Sequence, residues 1–261
     1  MEELVYEKEE QIFKILEKAA GAIMAHYHTI TKADINYKTD NSPVTSADLD
    51  SNKIITEGLL HLFPDIPVIS EEVDLPPFHL RKSFQYAWIL DPLDGTKEFL
   101  NKTDEFCINL ALISQKKPIA GYIYLPAKKK LYFAYAGKGA YEWKQTGAIR
   151  LNCSSFSLDD EGLRVVISHS RMDALTRFEI ERLHQPQKIA LGSALKFISI
   201  ASGEADYYPR MIHIMEWDTA AGQILIEEAG GKLEDALTGK PLEYNKQSLV
   251  NPYFIASGII Q

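Results

Sequence analysis

A series of short apolar segments with short polar connections constrains the fold most strongly. The segments are Val68-Ile69, Tyr86 to Leu90, Cys107 to Ser114, Ile119 to Leu125 and Leu131 to Tyr135. The connections at 115–118 and 126–130 are too short for a crossover helix, so they join antiparallel neighbours. The sequence therefore predicts an antiparallel meander in the first half of the chain.

Two amphipathic helices are predicted before this meander. From Leu4 to about Ile30, apolar residues recur at intervals of three and four, which is the spacing of one buried stripe. A second helix is predicted from about Ala47 to Leu62, with Thr45 or Ser46 as its N-cap. This part of the chain is therefore predicted to pack helices on a sheet.

The pattern changes after about Asn152, where strands alternate with helices. The predicted elements are a strand at Arg164 to Ser168, a helix at Arg177 to Leu183, a strand at Lys188 to Leu191, and helices at Ala194 to Ser202 and Thr219 to Ala229. This alternation indicates an α/β lobe. We expect an N-terminal α+β lobe at residues 1–152 and a C-terminal α/β lobe at 153–261, with a ligand in the cleft between them.

The charge balance limits the classes of partner. The 261 residues include 36 Asp and Glu against 28 Lys and Arg, a net charge of −8, which argues against nucleic acid as a partner. No apolar stretch approaches the roughly 20 residues of a membrane span. Cys107 and Cys153 lie in or beside apolar strands, and the N-terminus carries no secretory signal, so we expect a cytoplasmic protein. Peripheral attachment to the inner face of the cell membrane and the oligomeric state stay open.

The segment Asp91-Pro92-Leu93-Asp94-Gly95-Thr96 carries the strongest chemical signal. An apolar strand delivers two carboxylates three residues apart, and Pro92 predicts a turn at the strand's end. Such a turn would aim Asp91, the Leu93 carbonyl and Asp94 at one point, and these are the hard oxygen ligands that Mg²⁺ prefers. Taken alone, the segment equally fits a surface turn.

Three other acidic segments are individually weak signals. Glu71-Glu72 after a short strand is typical of a solvated edge. Asp218 fits a helix cap, and Asp48 fits a first-turn acid that the helix dipole favours.

In combination these segments resemble a known superfamily. The matching stretches are Val44-Thr45-Ser46-Ala47-Asp48, Ser70-Glu71-Glu72, Asp91-Pro92-Leu93-Asp94-Gly95-Thr96 and Trp217-Asp218-Thr219-Ala220-Ala221-Gly222. They resemble, in order, the four signatures of the lithium-sensitive, magnesium-dependent phosphatases that include inositol monophosphatases and bisphosphate nucleotidases. The resemblance covers most of the chain and implies an α/β protein, a layered αβαβα sandwich with most metal ligands in the N-terminal lobe.

The resemblance also implies roles for the acidic residues. One Mg²⁺ is expected on Glu71, Asp91 and the Leu93 carbonyl, and a second on Asp91, Asp94 and Asp218, with two or three ions per site in all. Asp48, Thr96 and Glu71 are the expected catalytic residues, since Asp48 and Thr96 would orient a water near the metals. Convergent carboxylates repel one another, so cations are expected to build the site as well as to recruit a phosphate.

Segments of the second half resemble the nucleotide-contacting parts of 3'(2'),5'-bisphosphate nucleotidases of the CysQ type. The segments are Ser168-His169-Ser170, Gly192-Ser193-Ala194-Leu195-Lys196-Phe197 and Tyr207-Tyr208-Pro209-Arg210, together with Lys97-Glu98-Phe99. The substrate-binding residues implied are Asp94, Gly95, Thr96, His169, Ser193, Lys196, Arg210 and Asp218. A second, non-reacting phosphate requires fixed cationic donors, which suits Arg210 and Lys196. His213 receives no role, and a packed or exposed histidine is expected there.

The resulting expectation is a phosphatase that hydrolyses the 3'-phosphate of adenosine 3',5'-bisphosphate to AMP. Its small-molecule nucleotide substrate could include the sulfated form, and the resemblance implies a role in sulfate assimilation. The alternatives are an inositol monophosphatase, a fructose 1,6-bisphosphatase and, in another class, a noncatalytic metal-dependent binding module.

Overall fold

The computed structural model describes residues 2–30, 36–37, 43–169 and 172–261. The helices are α1 Glu2–Glu7, α2 Glu9–Thr29, α3 Ser46–Leu62, α4 Phe78–Arg81, α5 Thr96–Leu100, α6 Ala174–Glu181, α7 Leu195–Ala201 and α8 Glu216–Glu228. The strands are β1 Asn36–Tyr37, β2 Pro43–Val44, β3 Val68–Ser70, β4 Tyr86–Asp94, β5 Cys107–Ser114, β6 Lys117–Leu125, β7 Lys130–Tyr135, β8 Gly139–Trp143, β9 Ile149–Arg150, β10 Ser155–Phe156, β11 Arg164–Ile167, β12 Gln187–Ala190, β13 Tyr207–Arg210, β14 Lys232–Asp235, β15 Phe254–Ser257 and β16 Ile259–Ile260.

The first half of the chain builds a seven-stranded sheet with the strands in sequence order from β3 to β9. Strands β3 and β4 are parallel, and every later pair is antiparallel. The predicted meander is therefore present, and it continues into β8 and β9, which the sequence interpretation missed. Strand β8 opens with Gly139, a residue type with low strand propensity, so its pattern gives little signal.

The sequence predicts one continuous N-terminal helix, but the structure has two. The helix is interrupted at Lys8, which separates α1 from α2. Lys8 donates from Nζ to the carbonyl oxygen of Leu62 at 2.7 Å and lies over the ring of Phe63, 5.0 Å from its centroid. The side chain that occupies the break is thus bound to the end of α3, a contact that local periodicity does not reveal.

The N-terminus of α3 follows from local chemistry and confirms the predicted cap. Thr45 accepts the Ala47 amide at 3.2 Å, and its own amide donates to Asp48 Oδ2 at 2.8 Å. This reciprocal arrangement satisfies backbone donors that a helix start leaves free. It also places Asp48, which is 2% exposed, at a fixed position inside the protein.

The elements stack in five layers, as the resemblance implied. Alternate residues of β4 face opposite sides: Trp88 and Leu90 join a core with α2 and α3, whereas Ala87 and Ile89 join a core with α7 and α8. The second of these cores continues into the five-stranded sheet, and α6 covers that sheet's far face through Ile180. The αβαβα sandwich is confirmed.

Helix α8 lies between the two sheets at close range. A Cβ on Gly121 of β6 would lie 2.4 Å from Ile224 Cγ2 of α8. A Cβ on Gly222 would lie 2.5 Å from Phe197 of α7. Glycine at these two positions therefore allows α8 to approach both neighbours, and it fixes the position of the helix that carries Asp218 near its start.

The five-stranded sheet has the order β12-β11-β13-β15-β14. The sequence interpretation missed β13, β14 and β15. Pro209 in β13 argues against a central strand, because proline cannot donate to a ladder. In the structure β13 pairs with β11 only at Tyr207 and Val165, and Pro209 lies beyond that pair. Since one apolar core includes residues from both sides of residue 152, the proposed two-lobe division stays a proposal.

Among the residues described, none of the helices combines the length and the apolar character that crossing a bilayer requires. Both cysteines are free: Cys107 is buried and Cys153 is half-buried.

Buried Asp206 forms an ion pair with half-buried Arg164 at the start of β11. Asp206 accepts the Arg164 amide at 2.7 Å and the Ser154 hydroxyl at 2.7 Å, and it also accepts from Arg164 Nε at 3.1 Å and Nη2 at 2.5 Å. Burial by itself would raise the pKa of Asp206, but the hydrogen bonds from Arg164 and Ser154 outweigh it and hold the pKa below its ordinary value of 3.8.

We expect Asp206→Asn to lower the free energy of unfolding by about 1–3 kcal/mol at pH 7, because the amide leaves charged donors unpaired. A lowered pKa in the folded state stabilises above the unfolded value of 3.8 and loses that effect as the pH falls through the folded pKa. Urea unfolding is measured for both proteins from pH 7 to pH 3. The difference between their free energies of unfolding should become smaller only below about pH 4. A difference in free energy of unfolding that does not change with pH contradicts this account.

Candidate active site

Strand β4 passes through the acidic segment with one extra residue. Asp91 pairs with Asn109 and Asp94 pairs with Cys107, so three steps along β4 match two steps along β5. This is a β-bulge between Asp91 and Asp94, and Pro92 within it has no amide to donate to the ladder. The sequence interpretation ended the strand before Pro92 and predicted a turn there, whereas β4 continues to Asp94.

Three carboxylates meet beside this bulge. One oxygen from each of Glu71, Asp91 and Asp218 lies within 4.8 Å of the other two, and Asp91 is 2% exposed. Within the described ranges this is the group of acids close enough to share a metal ion. The structure therefore brings together three of the residues that the sequence singled out.

Each of these acids comes from a different element, and backbone contacts place it there. Glu71 follows β3, and its amide donates to the Leu90 carbonyl at 3.2 Å. Asp91 Oδ1 accepts the Leu93 amide at 3.0 Å across the bulge. Asp218 Oδ2 accepts the Met215 amide at 2.8 Å as part of the first turn of α8. Segments far apart in the sequence thus converge on one point.

The electrostatics of the group favour a bound cation. Burial raises the pKa of Asp91 well above its ordinary range, and the charges of Glu71, Asp94 and Asp218 raise it further. Burial also raises the pKa of Asp218 well above its ordinary range, and the negative charges of Asp94 and Glu71 raise it further. Two carboxylates about 5 Å apart repel by roughly 3 kcal/mol at an effective dielectric of about 20. A donor set of convergent carboxylate oxygens fits a hard divalent ion, which would remove this repulsion.

Asp94 lies in the same cleft, but one of its carboxylate oxygens is hydrogen-bonded to other side chains. Its Oδ2 accepts the Ser193 hydroxyl at 2.6 Å and the Asn109 amide group at 3.3 Å. It lies outside the group of three, so its assignment as a metal ligand stays a prediction, as does that of the Leu93 carbonyl. Asn109 is a polar residue inside an apolar strand, which is the signal that would have identified it.

Asp48 and Thr96 form a second polar pair next to the acids. Asp48 Oδ2 accepts the Thr45 hydroxyl at 2.7 Å, and Thr96 Oγ1 lies 3.4 Å from Asp48 Oδ1 and 3.3 Å from the Leu93 carbonyl. Burial raises the pKa of Asp48, although its hydrogen bonds with Thr45 oppose this shift. The pair links α3 to the first residue of α5, and Thr96 lines the larger part of the cleft.

The cleft has two connected parts. A larger part of about 570 Å³ is lined by the three acids and by residues 93–98, and a smaller part of about 140 Å³ extends toward the second sheet. The predicted residues Gly95, Ser193, Lys196 and Arg210 line the smaller part, together with Tyr208. The structure thus places these predicted residues next to the acids.

Two cationic side chains line this smaller part. Lys196 is 8% exposed and donates to the Ser193 carbonyl at 2.5 Å, and burial lowers its pKa. Arg210 Nη1 donates to the Ser168 hydroxyl at 2.9 Å. In the part of the chain that the structure describes, the buried Arg210 Nε has no hydrogen-bond partner. A guanidinium N–H in this state fits an anionic group of a ligand.

His169 is exposed and lines neither part of the cleft, and it contacts a residue that the sequence interpretation missed. Its Nε2 lies 2.5 Å from Glu105 Oε2, which also accepts the Gly192 amide at 2.9 Å. Glu105 carries no distinctive sequence signal, because its partners are more than sixty positions away. Ser170, quoted in the same motif, lies outside the described residues. His213 donates from Nδ1 to the Asn251 carbonyl at 2.7 Å and stacks on Tyr253.

Comparison with known proteins identifies the family. The family model of the inositol monophosphatase family matches residues 7–260. The chain belongs to this family. The 3'(2'),5'-bisphosphate nucleotidase CysQ of Escherichia coli K12 is 40% identical over 249 residues, which cover 95% of this chain and 98% of that protein.

Two solved structures place this chain among known folds of the family. The crystal structure of CysQ from Bacteroides thetaiotaomicron has a TM-score of 0.79 and 33% identity, covering 95% of this chain and 96% of that one. An inositol monophosphatase from Thermotoga maritima has a TM-score of 0.76 and 27% identity, covering 94% and 89%. The family resemblance drawn from the four motifs is confirmed.

Asp91→Asn tests whether the acidic group holds a metal. Loss of a residue that only hydrogen-bonds to a metal ligand lowers activity by roughly 10- to 100-fold. Because Asp91 would bind the metal directly, we expect this variant to lose more phosphatase turnover than that. Without divalent ions the variant should melt a few degrees higher than wild type, because one buried repulsion is relieved. Differential scanning calorimetry with and without Mn²⁺ checks this: ions should raise the melting temperature of wild type and leave that of Asp91→Asn nearly unchanged. Equal stabilisation of both proteins contradicts a metal role for Asp91.

Proposed function

We propose that this protein is a magnesium-dependent 3'(2'),5'-bisphosphate nucleotidase that hydrolyses adenosine 3',5'-bisphosphate to AMP and phosphate. The observation that carries the proposal is a cation-lined branch of the cleft directly beside the three clustered acids. The nucleotidase CysQ of Escherichia coli, at 40% identity over nearly its whole length, supports the same substrate class. The proposed role is in sulfur assimilation, with the sulfated nucleotide as a further substrate.

The proposed ligands of two Mg²⁺ ions follow from the site and the family motifs. Glu71, Asp91 and the Leu93 carbonyl would hold one ion, and Asp91, Asp94 and Asp218 the other. Asp94 would contribute its oxygen that is not bonded to Ser193. Ions held there would supply Lewis-acid stabilisation of negative charge on the phosphoryl group and on the leaving ribose oxygen.

The protein's own residues would orient the attacking water. If Thr96 Oγ1 donates to Asp48 Oδ1, the same oxygen can accept a hydrogen bond from a water in the cleft, and the proton that the water loses replaces the one that Thr96 gives to Asp48. Asp48 would take up the proton that Thr96 passes on, because burial raises the pKa of this carboxyl. Thr45 holds Asp48 through its other oxygen, so the accepting oxygen keeps its direction.

The second branch of the cleft would bind the non-reacting 5'-phosphate and the ribose. Arg210 and Lys196 offer positive charge, and the Arg210 Nε donor is unused in the described part of the chain. Ser193 and His169 would contact the nucleotide after exchanging their present partners, Asp94 and Glu105. An inositol ring requires groups that accept from its hydroxyls, and two buried or half-buried cations serve it less well.

A substrate comparison tests the proposal. Purified protein with Mg²⁺ is offered adenosine 3',5'-bisphosphate, inositol monophosphate and fructose 1,6-bisphosphate, and phosphate release is measured. We expect the highest kcat/KM for the nucleotide, with no release after chelation of divalent ions. A preference for inositol monophosphate or for the fructose ester supports those alternatives, and release from none of them supports the noncatalytic binding module.

Arg210→Ala tests the second phosphate contact. The matched substrates are adenosine 3',5'-bisphosphate and adenosine 3'-monophosphate, which differ only in the 5'-phosphate. Loss of a charge-assisted contact should lower kcat/KM for the bisphosphate by roughly 10- to 100-fold and leave the monophosphate nearly unaffected. Arg177→Ala, at an exposed arginine of α6, is the control and should change neither rate. Equal losses on both substrates would falsify the assignment of Arg210.

A further inference from the structure

A buried polar network outside the cleft joins the two segments that supply Glu71 and Asp218. Its members are Arg81, Glu216, Asn245 and Lys246, which we call the 81–216 clamp. Glu216 is 0% exposed and Arg81 is 4% exposed, so both charged groups depend on partners within the protein. Neither residue belongs to the acidic group itself.

Glu216 ties the start of α8 to the loop that contains residues 245 and 246. Its two oxygens accept the Asn245 amide at 2.5 Å and the Lys246 amide at 3.1 Å, and Lys246 Nζ lies 2.6 Å from Oε1. Glu216 is two residues before Asp218 on the first turn of the same helix. A displacement of this loop would therefore be transmitted to the turn that carries Asp218.

Arg81 continues the connection toward the other acid. Its Nη1 donates to Asn245 Oδ1 at 2.6 Å, and Asn245 Nδ2 returns a hydrogen bond to the Arg81 carbonyl at 2.7 Å. Its Nε donates to the Pro76 carbonyl at 2.9 Å, within the segment that leads back to Glu71. One guanidinium thus binds the segment after Glu71 and the loop that Glu216 holds.

We propose that the 81–216 clamp holds Glu71 and Asp218 at the separation that divalent-ion binding requires, with Glu216 and Arg81 as positioning residues. The like charges of the acids push their segments apart, and the clamp opposes that displacement before any ion binds. Preorganised ligands avoid a reorganisation cost on binding, so the clamp should strengthen ion affinity without touching the ion. The inference rests on the proposed metal site, but it does not require that the substrate be a nucleotide.

Glu216→Gln tests the clamp because it keeps the size of the side chain and removes its charge. We expect about tenfold weaker Mn²⁺ binding by isothermal titration calorimetry, within the range for loss of an outer-sphere partner. At saturating Mg²⁺ we expect kcat for adenosine 3',5'-bisphosphate to stay within about threefold of wild type, so that the defect lies in ion binding. Arg81→Lys cannot reach all of the acceptors of the guanidinium. It should likewise bind Mn²⁺ more weakly while its kcat at saturating Mg²⁺ stays close to that of wild type.

Asp206→Asn is the matched control. It makes the same carboxylate-to-amide change at a buried carboxylate beside the small sheet, and it should destabilise the fold with no change in Mn²⁺ affinity. The proposal is overturned if Glu216→Gln and Arg81→Lys bind Mn²⁺ as wild type does. It is also overturned if Asp206→Asn weakens Mn²⁺ binding to the same extent, since general destabilisation would then explain both.

Two further outcomes are distinguished by the same experiment. If Glu216→Gln does not fold, Arg81→Lys and Lys246→Met decide the question by the same affinity criterion, because both retain the Glu216 carboxylate. If wild type binds Mn²⁺ and the clamp variants bind it weakly, but no protein hydrolyses the nucleotide, the proposed substrate is wrong and the clamp stands. If wild type binds no Mn²⁺, both proposals fail.

Discussion

The other features of this molecule depend on three carboxylate oxygens that are held within 4.8 Å of one another beside the bulge of β4. Their mutual repulsion and their burial both raise the pKa values of Asp91 and Asp218. A fold can retain such a group only if other contacts oppose the repulsion. Backbone donors to Asp91 and Asp218 supply part of that opposition.

The layered architecture explains why segments so far apart in sequence can meet with fixed geometry. Helix α8 touches the large sheet through Gly121 and α7 through Gly222, so its first turn has little freedom to move. Strand β4 lies in the same large sheet with neighbours on both sides. Asp91 and Asp218 thus lie on elements that are packed on both sides, Glu71 follows the edge strand β3, and the cationic residues come from the second sheet and the helix beside it.

Features encoded locally were predictable from the sequence. The bounds of β5, the cap of α3 and the αβαβα layering all follow from periodicity, capping chemistry or the four motifs. The acids themselves were identified in the same way. The break at Lys8 was not predicted, because its cause is a contact with Leu62 on another helix. Glu105 was missed for the same reason, because its partners are identified only after the chain has folded, whereas Asn109 is visible in the sequence as a polar residue inside an apolar strand.

The extra residue in β4 changes which side of the sheet the following side chains point to. Residues three apart on a regular strand point to opposite sides of a sheet, so Asp91 and Asp94 would ordinarily be separated by the sheet's thickness. Their partners Asn109 and Cys107 are two apart and share a side, which shows that the bulge brings both acids to the face of α8. If β4 ran regularly through these four residues, without the bulge, one of the two acids would point into the opposite core. The bulge is therefore as much a part of the site as the side chains of the acids.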